Sequence, residues 1–550
     1  MELSVDNFWK EAPAFLRNWL SRNHNTLIDA PPGIGKTRAG TKAAIELAEN
    51  DGHRVLIIEP TKTLREQALN FIKEEKKNID AHESKAMSDY YCPIINTLAD
   101  PSLCKARKEL CRKEKQGCGV LLDIDRSKIS KITVATFSKF LLSKGQFAGY
   151  HTFVIDESHG FENAESSFLQ IYLLINKADE VAVSIETDNP KAAETLHRIA
   201  AGLRQMQDMV GDSTPLSTTE ITPIREALQD EELKTFSLQC SRDQKHPKFR
   251  NFYSNMSFLH ERMSNINDNV FFFYERGIYG RPKNMSSEVS NFFKDKNVAL
   301  LSATIDNANM HARNCGIDLR RLSDDSSKVL TDYPDIRRKN RFLISLIDGP
   351  NLSRSNGEQY DGVRMQSNEV LYALLKAFKV KSLVLFRGYN DHKAASQYLA
   401  NTDVKDRILN IEQGEEPDQI EEKIKKLRAG NIVLSSASSR LWEGVDIPNL
   451  RLVIIDALPY PGKDPLDKEY NFRTGYAAMI KKLKQGLGRI VRSNDDWGAA
   501  IVIDRRFENQ FNSLKAKLPW YMGEDFKHLT LNDAVKEVDK FVKAHGEDGS

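Results

Sequence analysis

Short apolar runs bounded by turn residues alternate along this chain with longer helical patterns, and the alternation occurs twice. TLIDA (26–30), RVLIIEP (54–60), ITVAT (132–136) and TFVIDE (152–157) form a first series. FLISLID (342–348), SLVLF (382–386), NIVLSS (431–436), RLVIIDA (451–457) and AAIVIDR (499–505) form a second. Such alternation argues for a parallel sheet covered by helices, so the expected fold class is α/β with two parallel-sheet lobes. A chain of 550 residues is several times the usual domain size and has room for inserted modules besides.

Two insertions are expected. From about 165 to 295 the pattern turns mainly helical, with polar and charged faces and no clear run of strands. A smaller basic segment at about 80 to 127 holds four of the six cysteines, Cys92, Cys104, Cys111 and Cys118. The first lobe is then expected in three pieces, 1–79, 128–164 and 296–335, and the second lobe over 336–550.

The segment Ala30-Pro31-Pro32-Gly33-Ile34-Gly35-Lys36-Thr37 follows an apolar strand and opens a helical stretch. Glycines there let backbone N–H groups wrap phosphates, a helix N-terminus favours their charge, Lys36 reaches the β- and γ-phosphates, and Thr37 offers its hydroxyl to Mg²⁺. Ala30 stands where the generic pattern has its first glycine. After the strand TFVI come Asp156-Glu157-Ser158-His159. Asp156 is the candidate for the Mg²⁺ shell and Glu157 for orienting or deprotonating the attacking water. ATP and Mg²⁺ are therefore the expected ligands.

Composition adds little to this. The chain is 40% hydrophobic and 28% charged, with 79 Lys and Arg against 77 Asp and Glu, so any basic surface must be local. The start, MELSVDNFWKEAPAF, lacks a basic stretch followed by an apolar core, and no apolar run reaches a membrane span of about 18 residues. A cytoplasmic location is expected, with no membrane partner.

Further motifs carry a family resemblance. Leu301-Ser302-Ala303-Thr304 looks like the helicase motif that links ATP state to nucleic-acid grip. Ser439-Arg440-Leu441-Trp442-Glu443-Gly444-Val445-Asp446-Ile447-Pro448 is very like the WEGVD motif of DinG-type helicases, and Asp456-Ala457-Leu458-Pro459-Tyr460 continues it. Gln485-Gly486-Leu487-Gly488-Arg489-Ile490-Val491-Arg492 looks like the Q-x-x-G-R-x-x-R motif. Two arginines three apart on a helix share one face, so Arg489 and Arg492 are expected to project together across a cleft as arginine fingers. In family order from Ala30 to about Asp504, these motifs resemble the XPD/DinG family of superfamily 2 DNA helicases.

The resemblance implies two RecA-like lobes and ATP hydrolysis between them, with Gln485, Arg489 and Arg492 catalytic and Gly444 and Asp446 in the nucleotide site. It implies single-stranded and forked DNA as partners, 5′→3′ polarity, a monomer, a helical Arch in the 165–295 segment, and a [4Fe-4S] cluster on Cys92, Cys104, Cys111 and Cys118. A second reading is a translocase recruited by a nucleoprotein complex, as in type IV CRISPR systems. A third is an ATP-gated nucleic-acid-binding scaffold without net unwinding.

The chain departs from the family at several points. Ser158 replaces the usual Ala, a change expected to be harmless. The residues before the phosphate loop lack an evident adenine-reading Arg/Gln pair, and Arg387 replaces a small polar residue.

The cysteine gaps of 11, 6 and 6 residues contain no C-x-x-C pair. On a continuous helix, positions seven apart are separated by roughly 10 Å of rise, so the segment must fold back to make one site. Zinc or a cluster-free module are alternatives the thiols leave open. KARKELCRKEK (105–115) carries six basic and two acidic residues, suited to phosphate-backbone contact or to a solvated face. Tyr90 and Tyr91 could stack on bases or pack the module. Arg242, Lys245, Lys248 and Arg250 are a candidate basic rim, Phe271, Phe272, Phe273 and Tyr274 candidate core, and Cys240 and Cys315 candidate buried thiols.

Overall fold

The first series of apolar runs becomes one parallel sheet. A computed structural model describes the chain except residues 1–2, 5–6, 93–96, 100–116, 162–163, 165–170, 211–214, 244, 275–276, 283–284, 306, 331, 334, 354–359, 413–414, 416, 437–440, 442–446, 461–471, 492–493 and 547–550. Seven strands lie in the order Ser327–Val329, Thr26–Asp29, Asn297–Ser302, Thr152–Ile155, Val55–Glu59, Ile132–Thr136, Ala81–Glu83. Alternation along each strand splits its side chains between two cores. Val55 and Ile57 join Ile28, Val134, Val154 and Leu301 under the helices Phe8–Leu20, Lys36–Asn50 and Lys62–Glu75. Leu56 and Ile58 join Leu27, Ala135, Phe153 and Leu300 on the other face.

That second face is closed by aromatics. Phe140 stacks on Phe293 with ring centroids 5.6 Å apart, and Phe153 meets Phe292 edge-on at 5.5 Å. Phe292 and Phe293 lie on the helix Met285–Phe293, so the end of the segment drawn from 165 to 295 packs with the first lobe. Gly40 lets the helix Lys36–Asn50 sit close on the sheet, since a Cβ there would lie 2.7 Å from Leu301 and 3.0 Å from Val154.

The second series forms another seven-stranded parallel sheet, in the order Ile408–Asn410, Ile432–Ser436, Ser382–Phe386, Leu452–Ile455, Gly498–Val502, Arg341–Leu346, Phe526–Leu529. Helices Tyr360–Ala377 and Leu531–Gly546 cover one face, and Phe472–Leu487 contributes Met479, Ile480, Leu483 and Leu487 to the other. Arg387 is structural here, bonding the Tyr360 hydroxyl at 2.6 Å and Asp391 at 3.1 Å.

The inserted segment is not strand-free. Helices Ile175–Ile185, Pro190–Val210, Thr218–Ala227, Glu231–Asp243 and Pro247–Ser264 pack around a separate core. With them runs an antiparallel sheet ordered Ile171–Leu174, Gly277–Pro282, Asn269–Tyr274. The aromatic run is one of these strands, with Phe271, Phe272 and Phe273 all buried as expected. The expected rim is corrected too. Lys245 and Lys248 are exposed, but Arg250 is buried with its Nε donating to the Lys245 carbonyl at 3.1 Å. Burial pushes the Cys240 thiol up to about 11, and Cys315 is likewise buried.

Around the other insertion, Tyr91–Cys92 pairs antiparallel with Thr97–Leu98, and Cys118 precedes the helix Gly119–Ile129. Cys92, Ala99, Cys118 and Val120 form a small buried cluster with Tyr90 packed against it, while Tyr91 is exposed. Among the described residues no helix is long and apolar enough to cross a membrane.

Candidate nucleotide site between the two lobes

The strand Thr26–Asp29 runs straight into the phosphate loop. Gly33 and Gly35 take φ of +76° and +94°, left-handed values that a side chain would oppose. They turn the chain so that the helix Lys36–Asn50 starts at the loop with no side-chain cap, leaving its first N–H groups for a ligand. Ala30 donates its N–H to the Ser302 carbonyl at 2.9 Å. The Lys36 ammonium, almost fully buried, donates to the carbonyls of Ala30 at 3.0 Å and Pro31 at 3.2 Å. Ile34 anchors the loop in the core below.

Asp156 follows the strand Thr152–Ile155 and is buried at the carboxyl edge of the sheet. Its Oδ2 accepts the Thr37 hydroxyl and its Oδ1 the Glu157 N–H at 3.0 Å. Burial, then the Glu157 charge, raises its pKa to about 6 against the opposing pull of Thr37 and Lys36. Glu157 is held at φ +45°, a strained value costing about 1 kcal/mol or more, and its carboxylate is partly open to solvent.

The next two residues tie this box to its neighbours. His159 Nδ1 lies 2.9 Å from the Ser302 hydroxyl and 3.2 Å from Glu157 Oε2, and Thr304 donates its N–H to Ser302 Oγ at 3.3 Å. Ser158 is more than a tolerated change. Its hydroxyl lies 2.9 Å from Nε2 of His311, on the helix Ala308–Asn314, and its N–H donates to the Leu301 carbonyl at 2.8 Å. Burial, with Lys481 nearby, pushes His311 down to about 4, which keeps the ring neutral. No motif spacing announced this pair.

The second lobe closes over the loop. Lys481 donates to the His159 carbonyl, and Arg337 donates to the carbonyls of Pro32 at 3.3 Å and Gly33 at 3.4 Å while also bonding Asn494. Gly488 packs against the loop, where a Cβ would lie 3.5 Å from Pro32 Cγ. Both amide atoms of Gln485 are buried with no hydrogen-bond partner. Of the two arginines expected on one helix face, Arg492 lies outside the described residues and Arg489 is not on the helix. The helix Phe472–Leu487 ends before Arg489, because Gly486 and Gly488 favour a turn, so the mostly buried Arg489 follows the helix.

Comparisons with known proteins agree with this arrangement. The DEAD/DEAH box helicase family matches residues 13–185 and the helicase C-terminal domain matches 371–525. A probable ATP-dependent helicase of Methanocaldococcus jannaschii is 28% identical over 309 residues, 50% of this chain and 45% of that protein. The ATP-dependent DNA helicase YoaA of Escherichia coli is 40% identical over 92 residues, 14% of each chain. A solved XPD helicase superposes with a TM-score of 0.68 at 16% identity, covering 96% of this chain and 100% of that one. The chain carries the two domains of a DEAD/DEAH box helicase and is similar to the XPD/DinG-like helicases. Its matched stretch spans less than half the length of those two curated relatives.

In this XPD/DinG-like chain several sequence-assigned residues fall outside the described part: Gly444, Asp446, Arg492, Cys104 and Cys111. The 105–115 basic stretch and the Arg242 side chain do so as well. Cys92 and Cys118 are both free thiols and share one small buried cluster, so these two cysteines lie close together. Among the described residues no three His, Cys, Asp or Glu form a metal group. Ahead of the loop, Arg17 is engaged with Asp51, its Nε 2.8 Å from Oδ2.

Proposed function

We propose that this XPD/DinG-like chain is an ATP-driven helicase that translocates 5′→3′ on single-stranded DNA and opens forked duplexes. The observation that carries the reading is the joining of two lobes over one phosphate loop. Gly488 and Arg337 of the second lobe meet Pro32 and Gly33, and Lys481 meets the Asp156–His159 segment at His159. A site divided this way changes shape when its γ-phosphate is lost, which is what a motor needs.

In this reading the loop N–H groups and Lys36 hold the phosphates, Lys36 giving up its carbonyl partners to do so. Thr37 and Asp156 are the residues that would hold Mg²⁺, which neutralises phosphate charge when bound. Glu157 orients the attacking water and takes its proton. Arg489, with Arg492, offsets charge growing on the γ-phosphate from the second lobe, and Gln485 supplies amide contacts to the same centre. Gly444 and Asp446 are assigned to the second-lobe wall. His159 passes the phosphate state to Ser302 and Thr304.

The helical segment with its antiparallel sheet is proposed as the Arch. Cys92, Cys104, Cys111 and Cys118 are proposed to hold a [4Fe-4S] cluster, a role that the fold-back of Cys92 onto Cys118 supports. Polarity and cluster both rest on the family resemblance. Unwinding of forked duplexes carrying only a 5′ or only a 3′ tail, by anaerobically purified protein of recorded iron content, tests both together with the helicase activity itself. Opening of the 5′-tailed substrate alone, lost together with iron, is the expected outcome. DNA-stimulated ATP hydrolysis with no unwinding of either substrate would overturn the helicase reading.

A further inference from the structure

No sequence motif assigns a role to Glu59, yet it occupies one of the most consequential places in the first lobe. It ends the strand Val55–Glu59, next to the strand that carries Asp156. The register pairs Ile58 with Ile155, and the Asp156 N–H donates to the Ile58 carbonyl at 3.1 Å. Neighbouring residues of paired parallel strands project to the same face, so the carboxyls of Glu59 and Asp156 leave the sheet side by side. On its other side Glu59 pairs with Thr136, whose hydroxyl is engaged with Ser138 at 3.0 Å and accepts the Lys139 N–H at 3.3 Å.

Glu59 is completely buried, and neither carboxyl oxygen has a hydrogen-bond partner. Pro60 follows it and has no N–H to offer. A buried carboxyl left without donors destabilises the fold. Its position gives a reason for it. The open side for donors to these oxygens is the carboxyl edge beside Asp156.

A hydrated divalent cation brings such donors. Mg²⁺ sheds water reluctantly and usually keeps several water ligands, each a strong donor, when carboxylates and nucleotide phosphates bind it. We infer that Glu59 is an outer-sphere carboxylate for the divalent cation of the nucleotide complex, accepting hydrogen bonds from metal-bound water beside Asp156. The inference rests on the ATP-site reading above. It makes Glu59 a positioning residue that acts through the hydrated metal and sets how tightly the cation is held.

The test uses Mn²⁺ as the probe cation with a non-hydrolysable ATP analogue, free Mn²⁺ being followed by electron paramagnetic resonance on the full chain. Glu59→Gln, nearly isosteric and uncharged, is expected to weaken Mn²⁺ binding in the ternary complex about tenfold, or about 1.4 kcal/mol. Glu59→Asp, which withdraws the carboxylate by one methylene, is expected to weaken it about threefold, and it serves if the Gln variant does not fold. Affinity for the analogue in EDTA should be unchanged in both. Wild-type Mn²⁺ affinity in both variants would overturn the inference while leaving the nucleotide site intact. Equal losses with and without metal would assign Glu59 to general packing and overturn it as well. Failure of the wild-type chain to bind Mn²⁺ with the analogue would instead overturn the ATP-site reading, and the inference with it.

Discussion

Asp123, at the end of the smaller insertion, and Asp156, in the first lobe, are both buried, and the fold treats them in opposite ways. Asp123, on the helix that leaves the cysteine-bearing segment, accepts from His82 at 2.8 Å, Ser84 at 3.1 Å, Gln146 at 3.1 Å and Lys139 at 3.0 Å. Burial presses its carboxyl upward, but His82, Lys139 and Gln146 together outweigh it and hold the pKa near 2. Asp156 has only the Thr37 hydroxyl and one backbone N–H, and sits at about 6. One carboxylate is completed by the fold and ties an insertion to its lobe. The other is left with few partners at the place proposed for a cation.

Exchanging each for its amide is the severest challenge to that contrast. Asp156→Asn is expected to slow ATP hydrolysis about 10²–10³-fold or more while the melting temperature holds or rises. Asp123→Asn is expected to cost about 3 kcal/mol in urea unfolding while folded molecules hydrolyse ATP normally. Stability loss of equal size in both would erase the distinction. Acid sharpens it, because Asp123 titrates below its ordinary 3.8. Its stabilisation is complete above about pH 4 and is lost as the pH falls toward 2, so the gap between wild type and Asp123→Asn should narrow at about pH 3.

A smaller effect separates the catalytic carboxylates from the residues that link them onward. Ser158→Ala should cost about 1 kcal/mol of stability and lower stimulation of ATP hydrolysis by DNA more than basal hydrolysis. His311 has a folded pKa of about 4 against 6.5, so the wild type should lose stability as pH falls through that window, and His311→Gln should flatten the loss. The smallest effect is expected at the lobe boundary. Arg337→Met removes bonds to two loop carbonyls from a half-exposed side chain, worth about 0.5 kcal/mol and read as a roughly twofold change in KM for ATP.

The central strands of both sheets could be read from the chain because each is a local apolar run with helical neighbours. The phosphate loop and the acidic box were legible for the same reason, since Lys36, Thr37, Asp156 and Glu157 each lie within a few residues of a strand end. The short edge strands Ala81–Glu83, Ser327–Val329, Ile408–Asn410 and Phe526–Leu529 could not be read, and Ala81–Glu83 joins the first sheet although an insertion was expected from about 80. What escaped depends on register between distant segments. Glu59 gains meaning only beside Asp156, Ser158 only beside His311, and Asp123 only when His82, Lys139 and Gln146 surround it. The aromatic run Phe271–Phe273 was read as buried, but its strand character depended on pairing with Gly277–Pro282 across a short connection. Arg489 was misplaced because a motif fixes spacing and not where a helix stops.

The pairing of Ile171–Leu174 with Gly277–Pro282 has an engineering consequence. Ile171 lies opposite Gly280, so the helical module begins and ends on neighbouring strands, about 5 Å apart in an antiparallel ladder. Everything between them packs around its own core. A tight turn across that gap would remove no strand from either parallel sheet, so the module is an appendage of the lobe and not a part of its sheet.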